Sequence, residues 1–308
     1  MPINHIFTQF RNNLSFSFSQ KIRCGILKEN LKQNIVENIE NQIQNWISEN
    51  QNFSQNRNII TVPVVVHIVW NEPAQNLTDA QIESQIEALN DDFRALNSEI
   101  VSVPGEFQNV IADTEIEFCL AVTDPDGNPT NGITRTFTQA AAILGSKNIH
   151  YKSMGGADAW DTNHFLNIWV ANGGSIGGIG SFPGQDPPEE DGVEIAYENF
   201  GTITVEPPYH LGRTTTHEIG HYFNLFHPWH SDCLNSDMVD DTPISDENYL
   251  SKCPAHPSSS CGTNDMFMNF MAVDVNDSEL LMFTEGQKQR IHALFEVGGG
   301  RRQLFENL

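Results

Sequence analysis

The stretch HEIGHYFNLFH, from His217 to His227, constrains the fold of this chain more than any other. Residues four apart on a helix share a face, so His217 and His221 can present their imidazoles to one ion, with Glu218 beside them. His227 lies six residues beyond His221 and cannot reach the same ion from a straight helix. The pattern therefore predicts a helix that ends near Asn224, where the chain turns sharply.

These residue types favour a catalytic zinc site. Three neutral histidines leave one coordination position open, whereas structural zinc sites are usually closed by four protein ligands. Glu218 is placed to polarise a metal-bound water without being a ligand itself. The alternatives are histidines that fill polar positions in the core, and a zinc ion that only staples the fold. His230 is ambiguous, either a group at the rim or a second ligand.

Composition narrows the function classes. The chain has 308 residues, 39% hydrophobic and 18% charged, which suits a globular protein with a large core. A formal net charge of −24 argues against nucleic acid as a partner, because phosphates require a basic surface. No apolar run reaches the roughly 18 residues of a membrane span. The acidic residues serve either solubility or calcium binding.

Five cysteines are an odd number, so at least one thiol lacks a disulfide partner within the chain. Cys233, Cys253 and Cys261 cluster after the histidine motif and indicate a stapled, loop-rich region made in an oxidising compartment. The N-terminus lacks the apolar core of a signal peptide. Secretion is therefore inferred from the rest of the chain.

Residues 1–58 are rich in Asn and Gln and differ in composition from the remainder of the chain. Between Leu27 and Glu49, apolar residues at steps of three and four predict one amphipathic helix. They are Leu31, Ile35, Ile39, Ile43 and Trp46. The stretch NQNFSQNRN after the helix is typical of an exposed linker suited to proteolytic processing.

From Ile59 the pattern changes to alternating strands and helices. The predicted strands are ITVPVVVHIVW, IEFCLAV and HFLNIWVAN. Between the first two lies a helix with Thr78 as N-cap, Gln81 completing a capping box, and a buried stripe that ends at Leu96. A final helix is predicted from about Thr284 to Phe295. The order indicates an α/β (α+β) fold: an α/β half, then an irregular half, with the histidine motif at their junction.

With these motifs in this order, the chain resembles the metzincin metallopeptidases, and within them the pappalysin (cytophagalysin) family. The matching blocks follow the family's order from Thr61 onward: VPVVVHIVW, LTDAQIESQIEALNDDFRALN, IEFCLAVTDPDGNPTNGITRT, LNIWV, LGRTTTHEIGH, DDTP and NFM…MFTEGQKQRI. The resemblance implies a twisted, mostly parallel sheet with a backing helix and an active-site helix in an upper subdomain, 59–227. An irregular lower subdomain, 228–308, carries a methionine turn and the final helix. Residues 1–58 are expected to form a helical pro-segment.

The resemblance also implies roles for individual residues. His217, His221 and His227 would ligate one zinc ion, and Glu218 would act as general base and acid. Met271 would form an apolar floor below the ligands. Cys24, in KIRCGILKEN, resembles a cysteine switch and would ligate zinc in the latent form.

Two further sites are implied. The glycine-rich GGIGSFPG occupies the place of the family's substrate-binding edge strand, the alternative being a flexible loop. The edge residues are Gly178, Ile179, Gly180, Ser181 and Phe182. DCLNSDMVDDTP suits a structural Ca²⁺ site, the alternative being a solvated acidic turn. Its candidate ligands are Asp237, Asp240, Asp241 and Thr242.

Three departures from the family pattern stand out. Asn224 replaces a glycine, but asparagine is the non-glycine residue best able to adopt a left-handed conformation. Val273 stands where a tyrosine hydroxyl would steady an oxyanion. A family cysteine is missing after the methionine turn, so the favoured disulfide is Cys233–Cys261, which leaves Cys253 without a partner. Cys119 is expected to be a buried free thiol.

We interpret the chain as a secreted zinc endopeptidase made as a latent zymogen. It would act on protein or peptide substrates, with no nucleic acid or membrane partner, and its oligomeric state is left open. The alternative is a catalytically weak or inactive relative that binds peptides in the same cleft, motivated by Val273 and Asn224.

Overall fold

The structure, a computed structural model, describes residues 22–24, 32–50, 59–229, 232–234, 236–246, 249, 254–272, 275–296, 300–301 and 303–304. Its strands are β1 (Ile22–Cys24), β2 (Ile60–Trp70), β3 (Ile116–Leu120), β4 (Ile133–Phe137), β5 (Leu166–Ala171), β6 (Ile176–Gly180) and β7 (Val193–Ala196). Its helices are α1 (Gln33–Glu49), α2 (Asp79–Phe93), α3 (Arg213–Tyr222) and α4 (Glu285–Leu294). The interpretations of His230, Cys253, Val273 and the linker at 51–58 fall outside the described residues.

One mostly parallel sheet organises these elements, in the order β1-β6-β7-β5-β2-β3. The long strand β2 pairs with β5 on one side, and on the other with β3 and then β4, all in parallel. Its β-branched run is buried because layers cover both faces, as is usual for parallel strands. The strand β6 runs antiparallel to β7, and β1 adds parallel to β6 at the sheet edge. The predicted mixed α/β fold with a mostly parallel sheet is confirmed.

The backing helix α2 begins where its sequence predicts. Thr78 caps it by accepting the Gln81 backbone N–H at 3.2 Å. The predicted capping box is incomplete, because the Gln81 side chain instead donates to the Phe200 carbonyl at 2.9 Å. The helix also ends at Phe93, so Leu96 lies beyond it and is 66% exposed, contrary to the predicted buried stripe.

Other details of the fold differ from the sequence prediction or were absent from it. Strands β1, β4 and β7 were not predicted. Cys119 is exposed, not buried, because β3 lies at the sheet edge and the apolar cluster on the outer face does not extend over it. The expected disulfide between Cys233 and Cys261 is formed. Among the described residues, no helix is long and apolar enough to cross a bilayer.

The helix α1 packs against α4. Ile39 and Ile43 are buried in the main core. Both carboxylate oxygens of Glu40 accept hydrogen bonds from Arg290, at 2.9 and 2.8 Å. Arg290 is only 1% exposed, so this bidentate pair fixes α1 to the rest of the chain in a desolvated setting.

A second, smaller core lies on the outer face of the sheet, and His67 borders it. The ring stacks on Trp169 at 5.4 Å, with Nδ1 2.8 Å from the Thr134 hydroxyl and Nε2 2.9 Å from Asn167 Oδ1. Burial lowers the pKa of His67 to about 4, so the folded protein holds this imidazole neutral.

This buried histidine predicts a loss of stability in acid. Between about pH 6.5 and about pH 4, the imidazole of His67 is protonated in the unfolded chain but stays neutral in the folded chain. Stability is therefore present above that window and declines through it, by up to about 3 kcal/mol. In thermal unfolding measured across this range, His67→Gln should flatten the decline of Tm, whereas the exposed control His164→Gln should not. If the Tm of His67→Gln fell with pH as steeply as that of the wild type, the buried neutral state assigned to His67 would be contradicted.

Candidate metal centre

The active-site helix α3 carries His217, Glu218 and His221, all fully buried. Its end is set by a Schellman motif, in which the N–H of Leu225 donates to the Gly220 carbonyl at 2.9 Å. Asn224 occupies the left-handed position of that motif with φ +61°, as predicted. The chain therefore reverses after α3 and brings residue 227 back toward the helix.

The three histidines meet at one point. His227 Nε2 lies 3.0 Å from His217 Nε2 and 3.0 Å from His221 Nε2. The other ring nitrogens face backbone carbonyls, with His217 Nδ1 2.8 Å from Phe270 O and His221 Nδ1 2.8 Å from Leu225 O. Hydrogen bonds of this kind commonly fix the tautomer and orientation of metal-binding histidines.

This arrangement fits a metal ion. An Nδ1 that donates to a carbonyl leaves the lone pair on Nε2, so His217 and His221 both direct lone pairs at His227. The single N–H of a neutral His227 cannot satisfy both, whereas one cation between the rings accepts all three. Burial also lowers the pKa of His221 to about 4, which keeps this ring neutral as a ligand must be.

Met271 lies directly beneath the active-site helix. A Cβ built on Gly220 would come within 2.2 Å of the Met271 sulfur, so only glycine at position 220 allows the thioether to pack there. Met271 is fully buried. The structure thus places this methionine below the histidine helix as an apolar support.

The strand β6 lies against the opposite side of the site. A Cβ on Gly178 would come within 2.6 Å of Glu218 Cγ, and one on Gly180 within 2.4 Å of the Glu218 carbonyl oxygen. These two glycines allow the strand to approach the helix closely. Ser181 and Phe182 follow the strand, and the Phe182 ring lies 5.1 Å from that of His221.

Cys24 reaches the same point from the N-terminal segment. Its sulfur lies 3.5 Å from His221 Nε2 and 3.8 Å from Glu218 Oε2, and its side chain is buried. The strand β1 delivers it by pairing Cys24 with Gly178 of β6. One sulfur and three imidazole nitrogens form a group whose ligand atoms lie within 4.8 Å of one another.

In the acidic loop predicted to bind calcium, the carboxylates of Asp237 and Asp241 accept hydrogen bonds from hydroxyl groups of the protein. Both oxygens of Asp237 accept the Thr242 hydroxyl at 2.8 Å, and burial raises the pKa of Asp237 to about 7. Asp241 accepts the Thr284 hydroxyl at 2.6 Å, at the start of α4, while Asp240 is exposed. Within the described part of the chain, these carboxylates do not form a cluster with ligand atoms within 4.8 Å.

The sequence analysis did not identify the buried polar side chains that anchor α3 to α2. Thr216 donates to Asp92 at 2.8 Å, and Arg213 lies 3.4 Å from the same carboxylate, so the first turns of α3 are anchored to α2. Burial raises the pKa of Asp92 to about 7. Asp92 could have been recognised from the sequence, because it lies three positions after Leu89 and therefore on the buried face of the predicted helix. A buried amide pair between Asn269 and Gln287 left no such signal.

Comparison with known proteins identifies relatives of this chain. A family model described as peptidase M43, pregnancy-associated plasma protein-A, matches residues 150–296. A promirolysin mutant of Tannerella forsythia is 40% identical, with a TM-score of 0.82 over 91% of this chain and 93% of that one. Mature mirolysin of the same organism, in complex with a cleaved peptide, is 41% identical, with a TM-score of 0.77 over 81% and 97%.

A curated relative is more distant but named by its activity. The extracellular metalloprotease of Arthroderma gypseum is 26% identical over 82% of this chain and 78% of its own length. The solved mirolysins share the fold, and this chain spans nearly their whole length at about 40% identity. The chain therefore belongs to the peptidase M43 (pappalysin) family of metzincins and is a metalloendopeptidase with a catalytic metal.

Proposed function

We propose that the chain is a zinc endopeptidase in which His217, His221 and His227 hold the ion. The observation that carries this proposal is the meeting of three Nε2 atoms, two of them oriented by carbonyls behind the rings. Nitrogen ligands of this number, with one position left for water or substrate, are typical of catalytic zinc. A zinc ion bound there supplies a Lewis acid for water and for the scissile carbonyl.

Glu218 is the proposed general base and acid. It follows His217 directly on α3, and its carboxylate lies within 3.8 Å of the Cys24 sulfur, an atom at the metal position. The carboxylate can therefore take a proton from the attacking water and return it to the leaving amine. The missing side chain at Gly178 leaves room for it.

The substrate is proposed to bind as an extended strand along β6. In the full-length chain β1 pairs with this edge, through Ile22 with Ile176 and Cys24 with Gly178. A peptide would use the same backbone groups once β1 is gone, which supports an edge-strand role for residues 178–182. The cleaved peptide bound to mature mirolysin is consistent with a peptide substrate here.

Residues 1–58 are the proposed pro-segment, and residues 59–308 the catalytic domain with subdomains 59–227 and 228–308. Cys24 at the metal position and α1 on α4 support this division, since both contacts join the N-terminal segment to the catalytic machinery. A thiolate is a good zinc ligand and would occupy the position that catalysis needs open.

Secretion and calcium complete the proposal. Relatives are named extracellular metalloproteases, and the disulfide Cys233–Cys261 suits an oxidising compartment. Calcium binding by the loop at 237–242 stays a prediction from the family resemblance.

The test of this function is cleavage by protein from which residues 1–58 have been removed. We expect hydrolysis of a denatured protein substrate that a zinc chelator abolishes and added Zn²⁺ restores, with one zinc per chain by elemental analysis. Cleavage that persists after complete metal removal, or a metal-loaded protein without cleavage, would contradict it.

A further inference from the structure

Both polar groups of the peptide bond between Phe270 and Met271 make hydrogen bonds beside the histidine cluster. Its carbonyl oxygen lies 2.8 Å from His217 Nδ1. Its N–H donates to Asn269 Oδ1 at 2.9 Å. Because a peptide unit is planar, fixing the direction of the N–H also fixes the direction of the carbonyl. The Asn269 side chain therefore sets how the carbonyl meets His217.

Asn269 is itself held by a second amide. Its Nδ2 donates to Gln287 Oε1 at 2.8 Å, and Gln287 Nε2 donates back to Asn269 Oδ1 at 2.9 Å. Both side chains are fully buried, so no water competes for these bonds. Two amides that exchange both hydrogen bonds form a rigid, planar pair, and neither can rotate without breaking the other's contacts.

The start of α4 fixes this pair in turn. Gln287 Oε1 also accepts the backbone N–H of Thr284 at 3.0 Å, while the Thr284 hydroxyl accepts the Gln287 N–H at 3.2 Å. This capping box anchors the glutamine to the first turn of the helix. A continuous series of hydrogen bonds thus runs from α4 through Gln287, Asn269 and one peptide unit to His217.

We infer that Asn269 and Gln287 are positioning residues for the metal site: they orient the carbonyl that holds the first histidine. The inference rests on the proposed role of His217 as a zinc ligand. Both side chains are fully buried and reach His217 only through the Phe270–Met271 peptide bond. Outer groups that orient a ligating histidine typically contribute about 10- to 100-fold to metal affinity, and this is the scale expected here.

The experiment measures zinc affinity of the full-length chain by chelator competition, with the absorption spectrum of the Co²⁺ form as a second readout. Gln287→Met keeps the volume of the side chain and removes all of its hydrogen bonds. Asn269→Asp keeps the acceptor for the peptide N–H and removes the donor to Gln287. We expect zinc to bind about 10- to 100-fold more weakly to Gln287→Met, less so to Asn269→Asp, with a shifted Co²⁺ spectrum in both.

Thr284→Ala is the matched control, because it removes the hydroxyl that caps the helix and binds Asp241 but keeps the amide pair and the backbone N–H that Gln287 Oε1 accepts. It should lower Tm by a few degrees and keep zinc affinity within about twofold of the wild type. Affinity unchanged in both amide variants, or lowered equally in Thr284→Ala, would overturn the inference. If Gln287→Met does not fold, Asn269→Asp decides. Wild-type protein that binds no zinc, or a His217→Ala variant that binds as tightly as wild type, would instead refute the proposed function.

Discussion

Glu218→Gln is expected to lower kcat/KM for peptide hydrolysis by about 10²- to 10⁴-fold without loss of the metal. Glutamine has nearly the same shape as glutamate, so the tight packing of residue 218 against Gly178 is kept. It cannot take a proton from water at neutral pH, so the proposed proton transfer is lost. The three histidines are unchanged, so zinc content should stay at one ion per chain.

The measurement is steady-state hydrolysis by the chain that begins at residue 59, with metal content determined on the same sample. The matched control is Glu87→Gln, on the exposed face of α2, which should leave kcat/KM unchanged. Glu218→Gln with near-normal activity would remove Glu218 from the proton transfer. Loss of zinc in that variant would mean that the glutamate supports the metal site and not only the chemistry.

Cys24→Ala is expected to raise the basal activity of the full-length chain at least about tenfold, but not to the level of the chain that begins at residue 59. The sulfur lies 3.5 Å from His221 Nε2, so its removal opens the metal position. The helix α1 remains, however, because its bidentate pair between Glu40 and Arg290 does not involve the cysteine. We therefore expect latency to depend on two separable contacts, one through Cys24 and one through Glu40.

The double variant Cys24→Ala with Glu40→Gln should approach the activity of the shortened chain. Glutamine at position 40 leaves the guanidinium of Arg290 buried without its counter-charge, and breaking a buried pair in this way typically costs about 3–5 kcal/mol. Glu40 is partly exposed, at 14%, so the lower end of that range applies. Cys119→Ala, which alters an exposed thiol, is the control and should remain latent. Latency unchanged in Cys24→Ala would show that the thiol has no part in it.

The features that sequence predicts here are those set by neighbours along the chain. The spacing of His217 and His221, the left-handed Asn224 and the Thr78 cap all depend on contacts within one or two turns of backbone. The long apolar run of β2 is equally local, because a strand that is apolar on both faces is expected to be buried on both faces.

The features that sequence could not predict depend on contacts between distant segments. Gln81 was expected to close a capping box, but a better partner, the Phe200 carbonyl, comes from another part of the chain. The short strand β7 has only four residues and too little pattern of its own to be recognised. The amide pair between Asn269 and Gln287 likewise exists only because the segment that carries Asn269 meets the first turn of α4.

Gly178 and Gly180 of β6 have a consequence for any attempt to redesign the enzyme's preference among peptides. Their positions face Glu218 and the α3 backbone so closely that no larger residue fits at 178 or 180. Ile179 between them packs into the outer core, away from the metal position. A peptide lying along residues 178–180 would thus pair with main-chain groups, which every peptide sequence presents alike. Discrimination between peptides has to be engineered in the loops around the cleft, and the strand is best left untouched.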